Sequence, residues 1–170
     1  MTANGRPMRI TLIRHAEAGD DAPRDEARAL TARGRQDARR MGRGLARRGV
    51  DFTLMVSSPL VRAVQTAEIV AGMVDYRDRI QVTDALIPEA PVSHVIAFLT
   101  SAARNPEAVS SVALVAHEPI LSAVAAELTG RPRHPPLKKA EALRIRMPDG
   151  PESKGTLRWR VDARGRRERL

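Results

Sequence analysis

Three stretches of the chain place cationic and titratable side chains directly after apolar runs. In "ITLIRHAEA" (residues 10–18) the run ends in Arg14, a permanent cation, and His15, the one side chain that titrates near neutrality. In "DFTLMVSSPLVRA" (residues 51–63) it ends in Ser57-Ser58-Pro59, with Arg62 one turn into the helix expected to follow. In "SSVALVAHEPI" (residues 110–120) it ends in His117-Glu118-Pro119. Every one of these cations and helix starts favours an anion. Guanidinium forks bind phosphate in bidentate fashion, and helix N-termini present free N–H groups at the positive end of the dipole. A lone histidine after a strand is ordinarily structural, and an arginine in a first helical turn ordinarily faces water. Their coincidence at three equivalent places points to a phosphate-sized site.

The residues also narrow the chemistry. The chain contains no cysteine and no Gly-rich phosphate loop, and no carboxylate cluster suggests a catalytic metal. A histidine can attack phosphorus itself, splitting one hard displacement into two easier ones. Such a nucleophile must be neutral, with the proton on its other nitrogen held by a fixed acceptor. Nearby cations help by depressing its pKa and by neutralising the phosphoryl oxygens. Arg14, Arg62 and His117 are the groups placed to do so.

These residues can cooperate only if the fold brings them together. The segment before Arg14 and those at residues 51–58 and 110–116 read as buried strands. A polar segment, residues 19–29, reads as a loop. From Thr31 a helix is expected, with Ala38, Met41 and Leu45 on one face, arginines alongside and Gly49 closing it. Ser58 and Pro59 are the residues expected to cap and open the next helix. A short strand near residues 80–82, a helix over about 92–103 and a helix after Pro119 follow. The segments "EALRIRM" and "TLRWRV" alternate in polarity, as a half-exposed strand pair at a sheet edge would. Strands alternating with helices imply an α/β fold, a three-layer sandwich with a mostly parallel central sheet and helices on both faces. Such sheets bind ligands at the carboxyl ends of their strands, where the three motifs lie.

Length and composition set the outer limits. At 170 residues one domain is expected, with a core over about residues 8–161 and two loose ends, "MTANGRP" at the start and the basic tail "DARGRRERL" at 162–170. No signal-peptide pattern or membrane-length apolar run is present, so a cytoplasmic protein without membrane attachment is expected. The net charge of +9 is almost all arginine, since only Lys138, Lys139 and Lys154 are lysines. Such a charge can signal nucleic-acid binding. Four aromatic residues (Phe52, Phe98, Tyr76 and Trp159) make a poor stacking surface, however, and nucleic acid is not the expected partner. His94 and His134, in a helix and a Pro-rich loop, read as ordinary.

With the motifs in view, the sequence resembles a known family. "LIRHAEA" is similar to the Arg-His-Gly signature of the histidine phosphatase superfamily, with Ala16 where glycine is usual. "SSPLVRAVQTAEIV" resembles its second motif, which carries an active-site arginine, and "LVAHEPILS" its second histidine motif. "ALTARGRQDARRMGRGL" resembles the small SixA-like branch, the protein phosphohistidine phosphatases. The likeness runs over about residues 9–161. It implies a phosphoglycerate mutase-like fold and a phosphatase needing neither metal nor cofactor. His15 would be the nucleophile, and Arg14, Arg62 and His117 would complete the phosphate pocket, with Ser58 and the Ala16 backbone N–H as further contacts. A general acid, where the family uses one, would be Glu89 or Glu118. The short connections leave little sequence for a lid, so the expected substrate is a phosphohistidine on another protein. A broad phosphomonoesterase on small metabolites is the alternative.

Overall fold

A computed structural model describes residues 7–105 and 107–170. Most of the expected loose start, residues 1–6, lies outside the described residues. Seven strands form one sheet in the order β3-β2-β4-β1-β5-β6-β7. They are β1 (Met8–Arg14), β2 (Leu54–Ser57), β3 (Gln81–Val82), β4 (Ser111–Ala116), β5 (Ala142–Met147), β6 (Thr156–Val161) and β7 (Arg167–Arg169). Four helices connect them: α1 (Ala32–Ala46), α2 (Val61–Met73), α3 (Val92–Ala103) and α4 (Ile120–Thr129). None is long and apolar enough to cross a membrane.

The layers follow from strand alternation. Ile10 and Leu12 pack with Val95 and Leu99 of α3 and with Leu121 and Val124 of α4. Ile13 faces the other way, toward Met41 and Leu45 of α1 and Ala63, Ala67 and Val70 of α2. The result is the expected three-layer α/β sandwich. Its four motif-bearing and neighbouring strands, β3-β2-β4-β1, run parallel, whereas β5, β6 and β7 run antiparallel.

Local chemistry sets the element ends. Thr31 caps α1, its hydroxyl accepting from the Gly34 amide at 2.9 Å. At the other end Gly49 adopts φ +62°, and the Gly49 and Val50 amides return to the Ala46 and Leu45 carbonyls. This double return is the glycine-closed helix end anticipated for that position. Gly34 is required for a different reason. A Cβ there would sit 2.1 Å from the Glu17 carbonyl oxygen, so α1 packs directly on the segment leaving His15.

Three expectations need correction. The α2 helix begins at Val61 with Leu60 at its cap, two residues later than Ser58-Pro59, although the Ser58 hydroxyl still accepts from the Leu60 amide. The strands read as a half-exposed edge pair are not equivalent. Of the two, β5 lies inside the sheet against β1 and is buried at all but one position. The basic tail is also ordered. Asp162 accepts from the Arg164 and Arg166 amides at 2.9 Å each, Gly165 takes φ +74°, and the turn returns the chain as the edge strand β7.

Candidate active site

Strand register brings the three motifs to one level. In the ladder Arg14 lies opposite Ala116, and Ser57 opposite Val115. The pairing continues one residue further, with the His15 amide donating to Ala116 O and the Ser58 amide to Val115 O, both at 3.0 Å. His15, Ser58 and His117 therefore leave adjacent strands side by side. The two imidazole rings lie 5.0 Å apart, centre to centre, and both are buried.

Each ring is held in a definite way. His15 Nδ1 is 2.6 Å from the Ala16 carbonyl oxygen. A carbonyl can only accept, so Nδ1 carries the proton and the Nε2 lone pair is left over. His117 Nε2 is 2.8 Å from the Ser58 hydroxyl, whose oxygen accepts from the Leu60 amide at 3.3 Å and whose proton is left for Nε2. Ser58, expected as a phosphate contact, is thus the support of His117. The Ala16 amide, the other expected contact, is also committed: it donates to Thr66 Oγ1 at 3.1 Å, and that hydroxyl donates to Arg62 O at 2.7 Å. Alanine suffices where the family usually has glycine, because Ala16 does not take a positive φ.

The arginines arrive from two sides. Buried Arg62 on α2 donates from Nη1 to the Asp25 carbonyl at 2.8 Å and from Nη2 to Asp25 Oδ2 at 3.0 Å. Asp25 opens a single 3₁₀ turn, Asp25–Ala27, inside the segment read as loop. Arg28 and Arg62 together hold the Asp25 carboxyl below its ordinary range. Arg14 donates from Nη1 to Leu137 O at 2.6 Å, while its buried Nε has no partner among the described residues.

The two carboxylates considered as acids separate clearly. Glu118 Oε1 accepts from the Leu137 amide at 2.8 Å, and Oε2 accepts from the Ser122 hydroxyl at 2.6 Å. With both oxygens acting as acceptors, Glu118 clamps the peptide whose carbonyl holds Arg14. Glu89 is exposed in the turn before α3, with no side-chain hydrogen bond or ion pair among the described residues. His94 sits exposed on α3, and His134 bonds only its neighbour's carbonyl, both as ordinary as expected. Among the described residues no group of three or more His, Asp or Glu side chains could hold a metal.

Two participants went unnoticed in the sequence, Asp25 and Thr66. Thr66 had a signal, since it lies four residues beyond Arg62 and so on the same helix face. Asp25 had none, because it meets Arg62 across 37 positions of chain.

Burial sets the charge state of the rings. It pushes the His15 imidazole down to about 4, with Arg62, Arg14 and Lys139 acting in the same direction against the Ala16 carbonyl. His117 is pushed down to about 3, first by burial and then by His15 and Arg62. Both rings are therefore neutral at neutral pH. The unfolded chain binds protons on these groups below about pH 6.5, while the folded chain refuses them down to about 4 and 3. Their contribution to stability is intact above pH 6.5 and is lost as the pH falls through that window. For His15 alone the difference is roughly 3 kcal/mol. Denaturant titrations between pH 7 and pH 4 should show stability falling with pH, and less steeply in His117→Asn. An identical slope in the variant would refute the assignment.

Comparison with known proteins agrees with this geometry. The profile of the histidine phosphatase superfamily (branch 1) matches residues 10–87, which include Arg14, His15, Ser58 and Arg62. The phosphohistidine phosphatase SixA of Escherichia coli (strain K12) is 29% identical over 154 residues, covering 91% of this chain and 93% of that protein. A solved structure of the protein histidine phosphatase SixA complexed with tungstate superposes with a TM-score of 0.84 at 28% identity, covering 92% of this chain and 97% of that one. These matches liken the chain to the histidine phosphatase superfamily. A mitochondrial serine/threonine-protein phosphatase, Pgam5 of Drosophila willistoni, is 36% identical over 93 residues, but the match spans only 50% of this chain and 32% of that protein. The likeness to SixA of Escherichia coli extends over nearly the whole chain, whereas that to Pgam5 spans half of it.

Proposed function

We propose that the chain is a phosphatase that carries the phosphoryl group on His15 Nε2 and that its substrate is phosphohistidine on another protein. The observation that carries this reading is the His15 ring, which has Nδ1–H committed to the Ala16 carbonyl, Nε2 unprotonated and the ring neutral through burial. In the first step the Nε2 lone pair forms a bond to phosphorus as the bond to the substrate's imidazole breaks. In the second, water attacks the phosphorus and the electron pair returns to Nε2. Arg14, Arg62 and His117 would bear the charge on the phosphoryl oxygens. Arg14 Nε and His117 Nδ1 are buried and have no partner among the described residues; with Nε2 accepting from the Ser58 hydroxyl, Nδ1 carries the proton, and both atoms would donate to such a ligand.

The leaving group favours phosphohistidine over a phosphate ester. An imidazole departs neutral once its second nitrogen carries a proton, whereas an alkoxide must be protonated by the enzyme. Glu118 is committed as an acceptor, and Glu89 is exposed and unconnected. The likeness to SixA over nearly the whole chain supports the same substrate. Steady-state rates on a phosphohistidine-bearing protein and on sugar phosphates test the choice. The former should be turned over far faster, and Glu89→Gln should change neither rate by more than a factor of about two. Faster hydrolysis of sugar phosphates, with loss on Glu89→Gln, would favour the metabolite phosphatase instead.

Glu118 supplies a second test, of positioning. Glu118→Ala frees the Leu137 peptide and with it Arg14, and should lower kcat by on the order of ten- to a hundredfold. Glu118→Gln keeps an acceptor for the Leu137 amide and should restore most of the rate. Equal losses in the two variants would show that Glu118 acts through its charge.

A further inference from the structure

The opposite end of the sheet carries a second concentration of positive charge, which the proposed chemistry does not use. Arg9 lies at the start of β1 and His15 just past its end, so this region lies a strand length from His15, roughly 20 Å at 3.3 Å per residue. A cavity of about 510 Å³ opens there, lined by Arg9, Arg48, Arg144, Arg146, Arg158 and Arg167. Against these six guanidinium groups the lining offers one carboxylate, Asp51. None of the six makes an ion pair among the described residues. They come from β1, from the end of α1 and from β5, β6 and β7, so the tertiary structure gathers them and no basic run in the sequence announces them.

Five of the six are exposed and could spread into water, but Arg144 cannot. It is only 5% exposed, and its guanidinium lies 5.2 Å from the Trp159 ring centre and 5.9 Å from that of Phe52. Its one hydrogen bond runs from Nη1 to the Ser111 hydroxyl at 3.3 Å, and its buried Nε has no partner. Burial and then Arg9 lower its pKa to about 10, so it is still a cation at neutral pH. A buried cation with unused donors, surrounded by charges of its own sign, is costly alone and is stabilised by an anion seated among those charges.

The chemistry of the anion can be narrowed. Trp159 is 9% exposed, with Arg144 over it and Arg167 at 5.7 Å, so it offers no open face to a base. Recognition therefore runs through charge. A single phosphate engages one or two forks, whereas six converging forks match several linked phosphates. A cavity of this volume suits a small molecule. We propose that this cavity is a second binding site, for a small oligophosphate anion such as inorganic triphosphate or the phosphate end of a nucleoside triphosphate.

Calorimetric titrations with inorganic triphosphate, orthophosphate, a nucleoside triphosphate and a short DNA duplex test the assignment. Triphosphate should bind the native chain and Arg62→Ala alike, at least tenfold more tightly than orthophosphate. Arg9→Glu and Arg146→Glu, both at exposed positions, should each weaken it at least tenfold while leaving the ligand-free melting temperature unchanged. The nucleotide should bind within a few-fold of triphosphate. Loss of binding in Arg62→Ala but not in Arg146→Glu would place the anion at the His15 site and overturn the proposal. Equal binding of orthophosphate and triphosphate, a more than tenfold preference for the nucleotide, or tighter binding of the duplex with a steep salt dependence would each overturn it as well.

Discussion

Replacing His15 by asparagine should remove turnover of a phosphohistidine protein by a factor on the order of 10⁴ to 10⁶, the size of loss seen when a covalent nucleophile is deleted. Asparagine is the informative replacement. Its amide N–H can still donate to the Ala16 carbonyl, as Nδ1 does now at 2.6 Å, so that buried acceptor stays satisfied. No atom of asparagine takes the place of the Nε2 lone pair, and no covalent intermediate can form. A rapid quench without acid, using a labelled substrate, makes the prediction direct. The native chain should trap label that survives base and is lost in acid, and the variant should trap none. The substitution also removes a group that resists protonation, so His15→Asn should lose less stability than the native chain between pH 6.5 and pH 4. A variant that folds and keeps more than a hundredth of the native rate would sink the nucleophile assignment.

Arg62→Ala should lower kcat by roughly a hundred- to a thousandfold, about 3–4 kcal/mol of transition-state stabilisation. Arg62 is buried and fixed at both terminal nitrogens by Asp25, and its field acts on both His15 and His117. Charge placed in advance in a dry site needs no reorganisation as the phosphoryl group transfers, which is why its removal is costly. Lysine should rescue little. Its point charge cannot hold the Asp25 carbonyl and carboxylate while also presenting a planar fork to phosphate. In the quench experiment Arg62→Ala should slow the appearance of label on His15 without preventing it, whereas His15→Asn prevents it. A loss confined to KM would mean that Arg62 binds substrate and transition state equally.

The chemistry-bearing residues were legible because their types are rare and their places equivalent. Arg14, His15, Arg62 and His117 each follow the carboxyl end of an apolar run, and the parallel ladder carries those ends to one level. Helix α1 was legible from its spacing and from its Thr31 and Gly49 ends, since capping acts over three or four residues. What escaped was carried by groups that every residue possesses. The link from Glu118 to Arg14 passes through the amide and carbonyl of Leu137, and nothing about a leucine announces that. The order of the tail was missed for a related reason. Charged residues do not suggest a strand until a neighbour with free edge groups, here β6, is known.

Local sequence carried the alternation of strands and helices and the types of the groups that could meet a phosphate. These rest on residue type and short-range periodicity, which are local properties. The neutrality of His15, the identity of its free nitrogen, the pairing of Ser58 with His117, the tie from the Ala16 amide to Thr66 and the closure of Asp25 on Arg62 all arise from the fold. Protonation and hydrogen-bond partnership depend on burial and on groups distant in the chain, and those become defined when the sheet register is set.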